Sequence, residues 1–417
     1  MTLFFLVRKS LRQHALSTTV TILSVALAAG LVLSVFSLSD QTKRAFTGGG
    51  LGFDAVLGAR SSKLQLVLNS VFHLEKSAGN LSWERYRAVA EDPRVKHAIP
   101  YVLGDNYLGF RVVGTTAELF TEYAARDGRR YELANGIVFD DKLREAVVGS
   151  AAARLAGLKV GSVFKPYHGL DYNPRDDPHD QEFRVVGILE PTNTPNDRVI
   201  WIPLEGVFRM EGHALYGSGE PFAPQKVREI PDEHKEVSAV MVQFTNPRHG
   251  LAFDQVINKQ TKDATLAFPL SQAMVELFEK LGLVSKVLEY VAYLVVVVAA
   301  ASILASIYNT MNERRREFAI LRALGARRST VFSVIVLEAG TIAALGSLFG
   351  FAIFAAVFSA TTVLIREQTG VILDFDFTQR VFWAMPLGLT VIGALSGLVP
   401  AVKAYSTDVA DHFVPSS

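Results

Sequence analysis

Cysteine is absent from the 417-residue chain. That removes disulfides, thiolate-held zinc, iron–sulfur clusters, thiol catalysis and a lipidated N-terminal cysteine. An excess of either charge is missing too: 42 Lys+Arg stand against 41 Asp+Glu, a net +1. Such a balance gives no field to hold a polyanion, so nucleic acid is not an expected partner. Disorder is equally unexpected, because hydrophobic residues make up 49% of the chain and mean hydropathy is +0.24. No Gly-x-x-x-x-Gly-Lys-Ser/Thr phosphate cradle occurs, and Gly48-Gly49-Gly50-Leu51-Gly52 lacks the lysine. That run follows a long apolar stretch and reads as a flexible joint. His-Glu-x-x-His, Gly-x-Ser-x-Gly and a paired-carboxylate framework are also missing, so hydrolytic catalysis is not expected.

What the chain has is long uncharged runs. A bilayer core about 30 Å thick needs roughly 20 apolar helical residues. Stretches of that length run from Ala15 to Ser39, from Tyr290 to Met311, between Arg328 and Arg366, and from Val381 to Val402. Ala26-Leu27-Ala28 mimics a signal-peptidase site, but it sits inside an apolar run longer than the roughly 7–15 residues of a signal core. The first stretch therefore reads as a span. Basic residues set the orientation. Arg8, Lys9 and Arg12 precede span one, and Arg314, Arg315, Arg316, Arg322, Arg327 and Arg328 lie between spans two and three. Arg366 and Arg380, the basic residues between spans three and four, are offset by Glu367, Asp374 and Asp376. The N-terminus and the Arg-rich loop are thus expected in the cytoplasm, with the region between spans one and two outside.

The expected fold is membrane α-helical, with four transmembrane helices and a large extracytoplasmic α+β domain inserted between helices 1 and 2. Residues 1–14 form a cytoplasmic interfacial segment, 15–46 helix 1 and a stalk, and 47–269 the outer domain, in two lobes with a middle lobe near 136–232. Residues 270–311 form a stalk and helix 2, 312–328 a cytoplasmic loop, 329–365 helix 3, 366–380 an outer loop, 381–402 helix 4 and 403–417 a cytoplasmic tail. In the outer domain, Gly109–Gly114, Val160–Phe164, Glu182–Leu189, Arg198–Leu204 and Val237–Phe244 read as strands. Trp83–Ala90, Gly149–Ala156, His249–Gln260 and the stretch from Leu270 carry helical periodicity. Without a proline after Pro269, a helix from Ser271 to Thr310 would reach about 60 Å. Such rods would transmit motion across the membrane surface; the plainer alternative is a tether.

The Arg-rich loop turns amphipathic. Phe318, Leu321 and Leu324 recur at i, i+3 and i+6 beside Arg322, and Gly325 is placed to end the turn. Charge alone would read it as a stop-transfer cluster; the apolar stripe reads as a docking surface. The run Arg316-Glu317-Phe318-Ala319-Ile320-Leu321-Arg322-Ala323-Leu324-Gly325-Ala326 resembles the coupling-helix signature of the MacB/LolC/LolE/FtsX-type, or mechanotransmission, ABC transporter permeases. The order of one span, a large outer domain and three closely placed spans is similar to that family, as are Val147–Ser150, Leu155–Ser162 and Phe183–Leu189. The resemblance implies a permease dimer, formed with a second copy or a homologous permease, in a bacterial inner membrane. It implies a cytoplasmic ABC ATPase dimer that holds ATP and Mg, contacted through Glu317, Phe318, Leu321, Arg322, Leu324 and Gly325. It further implies export or release of a lipoprotein, peptide or hydrophobic small molecule, with membrane lipid and a periplasmic or lipoprotein partner. The alternative within the resemblance is a regulator that activates an outer enzyme without transport.

Three further features leave alternatives open. Small residues four apart, Ala26/Gly30, Gly346/Gly350 and Gly393/Gly397, suit close helix approach, either between permease copies or within one chain. Glu338 is the lone ionisable residue of the third run, marking either the start of the span at the interface or an ion pathway. His168, Asp171, Asp176, Asp177 and His179 crowd one loop, as divalent-metal ligands or as ordinary surface polarity.

Overall fold

The computed structural model describes residues 3–47, 52–210, 230–280, 282–370, 373 and 375–406. The chain divides into a helical unit (Met1–Thr42, Leu281–Val363, Asp374–Ser417) and an α/β unit (Lys43–Lys280, Leu364–Leu373). The chain opens with an amphipathic helix, α1 (Leu3–Gln13), which buries Val7 and Ser10 and exposes Phe4 and Phe5. It is followed by α2 (Ala15–Thr47), a single helix of 33 residues. Several of its hydroxyls are satisfied on the helix itself: Thr21 Oγ1 donates to the Ser17 carbonyl at 2.8 Å and Ser34 Oγ to the Gly30 carbonyl at 2.7 Å.

The α/β unit begins with β1 (Ala55–Ala59) and α3 (Lys63–Ser70). Ser62 caps α3 by accepting from the Gln65 amide at 3.1 Å. The chain then forms β2 (Leu81–Ser82), α4 (Trp83–Ala90), β3 (Val95–Tyr107), β4 (Phe110–Thr115), α5 (Glu118–Thr121), β5 (Leu133–Gly136) and β6 (Glu145–Val148). After α6 (Ser150–Ala156) come β7 (Val163–Phe164), β8 (Tyr167–His168), β9 (Phe183–Leu189), β10 (Val199–Pro203) and α7 (Leu204–Phe208). The unit closes with β11 (Glu236–Val237), β12 (Ala239–Phe244), α8 (His249–Gln260), β13 (Ala264–Ala267) and α9 (Leu270–Lys280).

One mixed sheet organises these elements, in the order β13-β1-β12-β3-β4-β10-β6-β9-β5, with β7 added on β9 and β8 on β3. Parallel pairs β10/β4 and β6/β9 sit among antiparallel neighbours. The strands of the expected middle lobe, 136–232, belong to the same compact unit as the rest of the α/β region. They continue the sheet through β3, whose first half pairs with β12 and whose second half pairs with β4, with a register shift between Leu103 and Asp105. A strand of 13 residues is long enough to serve both halves. Trp201, Tyr101, Val113, Val147 and Leu189 meet in one core with Leu66 and Val67 of α3. Leu66 and Val67 are thus core residues of α3.

The helical unit continues with α10 (Gly282–Glu313), α11 (Arg315–Ala323), α12 (Arg328–Thr369), α13 (Val381–Ser396) and α14 (Leu398–Ser406). Among the described residues, four stretches, Ala15–Arg44, Gly282–Met311, Arg328–Thr369 and Val381–Lys403, are long and apolar enough to cross a membrane. The expected rod from Ser271 to Thr310 is helical on either side of Leu281, which lies outside the described residues. The small-residue pairs are spent inside the chain. A Cβ on Gly346 would stand 2.5 Å from Val25 Cβ, one on Gly350 2.4 Å from Ala29 Cβ and 3.2 Å from the Ala26 carbonyl, and one on Gly30 2.6 Å from Ile353. These contacts bring α2 and α12 together almost backbone to backbone. Gly393 and Gly397 do the same against Ala343 and Ala339 of α12, at 2.3 and 2.7 Å.

Candidate coupling site

The segment with the amphipathic stripe folds as α11, set off from α10 by Arg314. Its C-terminus is a Schellman closure. The Gly325 amide donates to the Arg322 carbonyl and the Ala326 amide to the Leu321 carbonyl, both at 3.0 Å. Gly325 has φ +94°, a left-handed conformation that side chains resist, so glycine here fixes where the helix stops.

A polar knot ties the start of α11 to its neighbours. Arg314 Nη1 donates to Glu338 Oε2 of α12 at 3.1 Å and to Ser10 Oγ of α1 at 2.5 Å. Ser10 Oγ in turn donates to Glu338 Oε1 at 2.5 Å. Arg314 Nε reaches Glu317 Oε2 at 3.2 Å, and Gln13 Nε2 donates to Glu317 Oε1 at 2.9 Å. The guanidinium also lies 4.9 Å from the Phe318 ring centre. Arg314, Glu338 and Ser10 are 7%, 3% and 1% exposed, so the knot is buried and both Glu338 oxygens are engaged. Burial would raise the Glu317 pKa, but the bonds from Gln13 and Arg314, with the charges of Arg314 and His14, hold it below the ordinary value. His14 Nδ1 and Glu313 add a contact at 3.4 Å.

The residues expected to meet a partner separate into two groups. Phe318 is buried among Val25, Ile307, Met311, Val331 and Ile335, and Leu321 packs against the same cluster. Phe318 therefore anchors α11 and offers no outer surface. Leu324 is 80% exposed. Beside it Ile320, not among the residues expected from the stripe, is 47% exposed. Ile320 and Leu324 form an i, i+4 pair on the outer edge, with Ala323, Gly325 and Arg327 exposed nearby. Glu317 and Arg322 are half-buried between these faces.

Residues 18–248 match the MacB-like periplasmic core domain, and residues 290–409 match the FtsX-like permease C-terminal domain. The chain belongs to the MacB/FtsX-type permeases. The macrolide export ATP-binding/permease protein MacB of Escherichia coli is 22% identical over 428 residues, covering 96% of this permease and 58% of the relative. The protein of the same description from Azoarcus sp. strain BH72 is 23% identical over 365 residues, covering 83% and 50%. The permease thus spans about half the length of the curated relatives it matches. The periplasmic region of MacB from Actinobacillus actinomycetemcomitans aligns with 55% of this chain and 94% of its own, at 11% identity and a TM-score of 0.34.

The permease also gathers potential metal ligands, though not the expected set. Asp105 of β3, His168 of β8 and His179 bring one ligand atom each within 4.8 Å of one another. Asp105 Oδ1 is 3.3 Å from His179 Nε2 and 3.5 Å from His168 Nδ1. Among the described residues, Asp171, Asp176 and Asp177 do not join them. They are exposed, and Asp176 Oδ1 instead accepts from Asn173 Nδ2 at 2.9 Å within the loop. Nearness in sequence misled here because the loop turns its aspartates to solvent while strand pairing imports Asp105 from β3. The Asp105 hydrogen bond raises the His168 pKa, against the opposing effect of partial burial.

Proposed function

We propose that this chain is the permease subunit of an ABC complex in a bacterial inner membrane. ATP hydrolysed by an ATPase outside these residues would act on α11, and the movement would pass to the extracytoplasmic α/β unit. The observation that carries this reading is the two-sided character of α11. Ile320 and Leu324 lie exposed on one edge, while Phe318 and Arg314 root the other side in buried packing. A stop-transfer cluster needs only charge and has no use for an apolar outer edge held at a fixed angle. The 417 residues hold no phosphate cradle, so nucleotide would be bound outside them. The names of the relatives, which describe macrolide export, support outward movement of a hydrophobic small molecule, with a lipoprotein or peptide as related cargo. A second copy of the chain, or a homologous permease, would complete the complex.

Burying one Leu or Ile side chain contributes about 1.5–3 kcal/mol. Leu324→Asp and Ile320→Asp should each weaken binding of the ATPase by at least about tenfold. Both residues are exposed, so neither variant should disturb folding. The test is co-purification of the ATPase with the full chain, together with its ATPase rate. Unchanged association and rate in the double variant would overturn the reading.

A further inference from the structure

We propose that Asp105, His168 and His179 form a solvent-facing site for a divalent cation of the zinc class. The placement is built by the backbone. In the antiparallel β3/β8 pairing, Asp105 and His168 stand directly opposite each other. The loop after β8 then returns: Tyr167 bridges Pro178, and the His179 amide donates to the Pro166 carbonyl at 2.8 Å. Asn106 Nδ2 holds the Gly169 carbonyl at 3.0 Å, and the Gly169 amide donates to the Gly104 carbonyl at 2.8 Å. All three ligand-bearing residues are therefore fixed by main-chain contacts.

The spacing suits a small tetrahedral ion. Zinc–nitrogen and zinc–oxygen bonds of about 2.0–2.2 Å imply ligand–ligand edges of about 3.3–3.6 Å. The two edges that share Asp105 Oδ1 measure 3.3 and 3.5 Å. The imidazole rings stand edge to face at 86°, 5.7 Å between centres. Two imidazoles and one carboxylate are nitrogen-rich donors, which favour zinc and its neighbours over magnesium or calcium. Three protein ligands leave a fourth position open. The His168 side chain is 71% exposed, so that position faces solvent while the Asp105 side chain beneath it is 2% exposed. Such a site would exchange its ion or complete the shell with a ligand from another molecule. A bound ion would also pin the 167–180 loop to β3.

The test uses the full chain in detergent, stripped with a chelator and titrated with zinc against a chromophoric competitor. One equivalent should bind. His168→Ala and His179→Ala should each weaken it by about tenfold or more, while the pair Asp176→Asn and Asp177→Asn leaves it unchanged. His168 is exposed, so His168→Ala should melt as the parent does, which separates ligand loss from misfolding. Zinc should also slow amide exchange across 167–180 in the parent and not in His168→Ala. No stoichiometric zinc, or binding that survives both histidine variants, would overturn the proposal. Association with the ATPase is a separate readout, so either proposal can fail without the other.

Discussion

Replacing Arg314 with methionine should do far more damage than its place in an arginine-rich run implies. Unit charges 3.1 Å apart attract by about 5 kcal/mol at an effective dielectric of about 20. Much of that gain only offsets the cost of withdrawing both groups from water. Removing one partner abolishes the attraction and leaves the other charge stranded, at about 3–5 kcal/mol. In Arg314→Met the stranded group is Glu338, 3% exposed and left with Ser10 as its donor. Taking about 2–4 °C per kcal/mol for a unit of this size, the melting temperature of the full chain in detergent should fall by roughly 6–20 °C. Glu338→Gln keeps the shape and loses the charge, leaving Arg314 with Glu317 as its carboxylate partner at 3.2 Å, so it should cost less than Arg314→Met. The double variant removes both charges and should recover about 2 kcal/mol of the summed losses. If Arg314→Met melts within about 2 °C of the parent, or if the double variant is fully additive, the buried pair is not the anchor argued above.

Two other perturbations test the packing and the α/β core. Gly350→Val should cost about 1–3 kcal/mol by forcing α2 and α12 apart, because even its Cβ would meet Ala29 Cβ at 2.4 Å. Gly388→Ala on α13, where a Cβ meets nothing within 4 Å, should melt within a degree or two of the parent. His73 supplies a pH signature. Burial, and then the nearby Arg111 charge, push its pKa down to about 3. Between the ordinary value near 6.5 and that value the unfolded chain binds the extra proton, so stability should fall as pH drops below 6.5. The slope should approach about 1.4 kcal/mol per pH unit, and His73→Asn, which tolerates the local φ of +56°, should flatten it. Denaturant titrations read by Trp201 fluorescence would detect this, since the two rings lie 6.2 Å apart.

The spans, α4, α6, α8, β4, β9, β10 and β12 are legible from apolar runs and periodicity: β9 buries alternate positions, whereas β10 and β12 are near-continuous apolar runs buried on both faces. β3 is not. Its sequence, Val95–Tyr107, contains Pro100, Gly104 and adjacent polar pairs at Lys96-His97 and Asp105-Asn106, and it becomes a strand because two neighbours pair with its two halves. The proposed docking edge is half legible. The i, i+3, i+6 stripe describes the face of α11 that points inward at Phe318, whereas the outer edge runs through Ile320 and Leu324. Ile320 is marked in the sequence only by its i, i+4 relation to Leu324. Asp105 carried no local mark at all, since its partners come from a loop far along the chain and strand register alone brings them together. Glu338 was visible as an anomaly, but its answer, Arg314, was hidden among other arginines that look the same in sequence.

That answer bears on how α11 could act in the proposed complex. A loop that merely hung between two spans would bend when pushed and pass little on. Phe318 instead shares one buried cluster with Val25 and Ala28 of α2, Ile307 and Met311 of α10, and Ile335 and Ala339 of α12. Arg314 adds bonds to α1 and α12 at the same end. Close-packed side chains resist compression, so displacement of the Ile320–Leu324 edge must shift these helices or break the knot. The glycine contacts between α2 and α12 make those two helices respond as one body. A push on α11 is then distributed between that body and α10, and the useful motion is whatever differs between them. In the proposed complex, coupling through α11 would therefore depend less on the charge of the Arg-rich segment than on which of its arginines is buried.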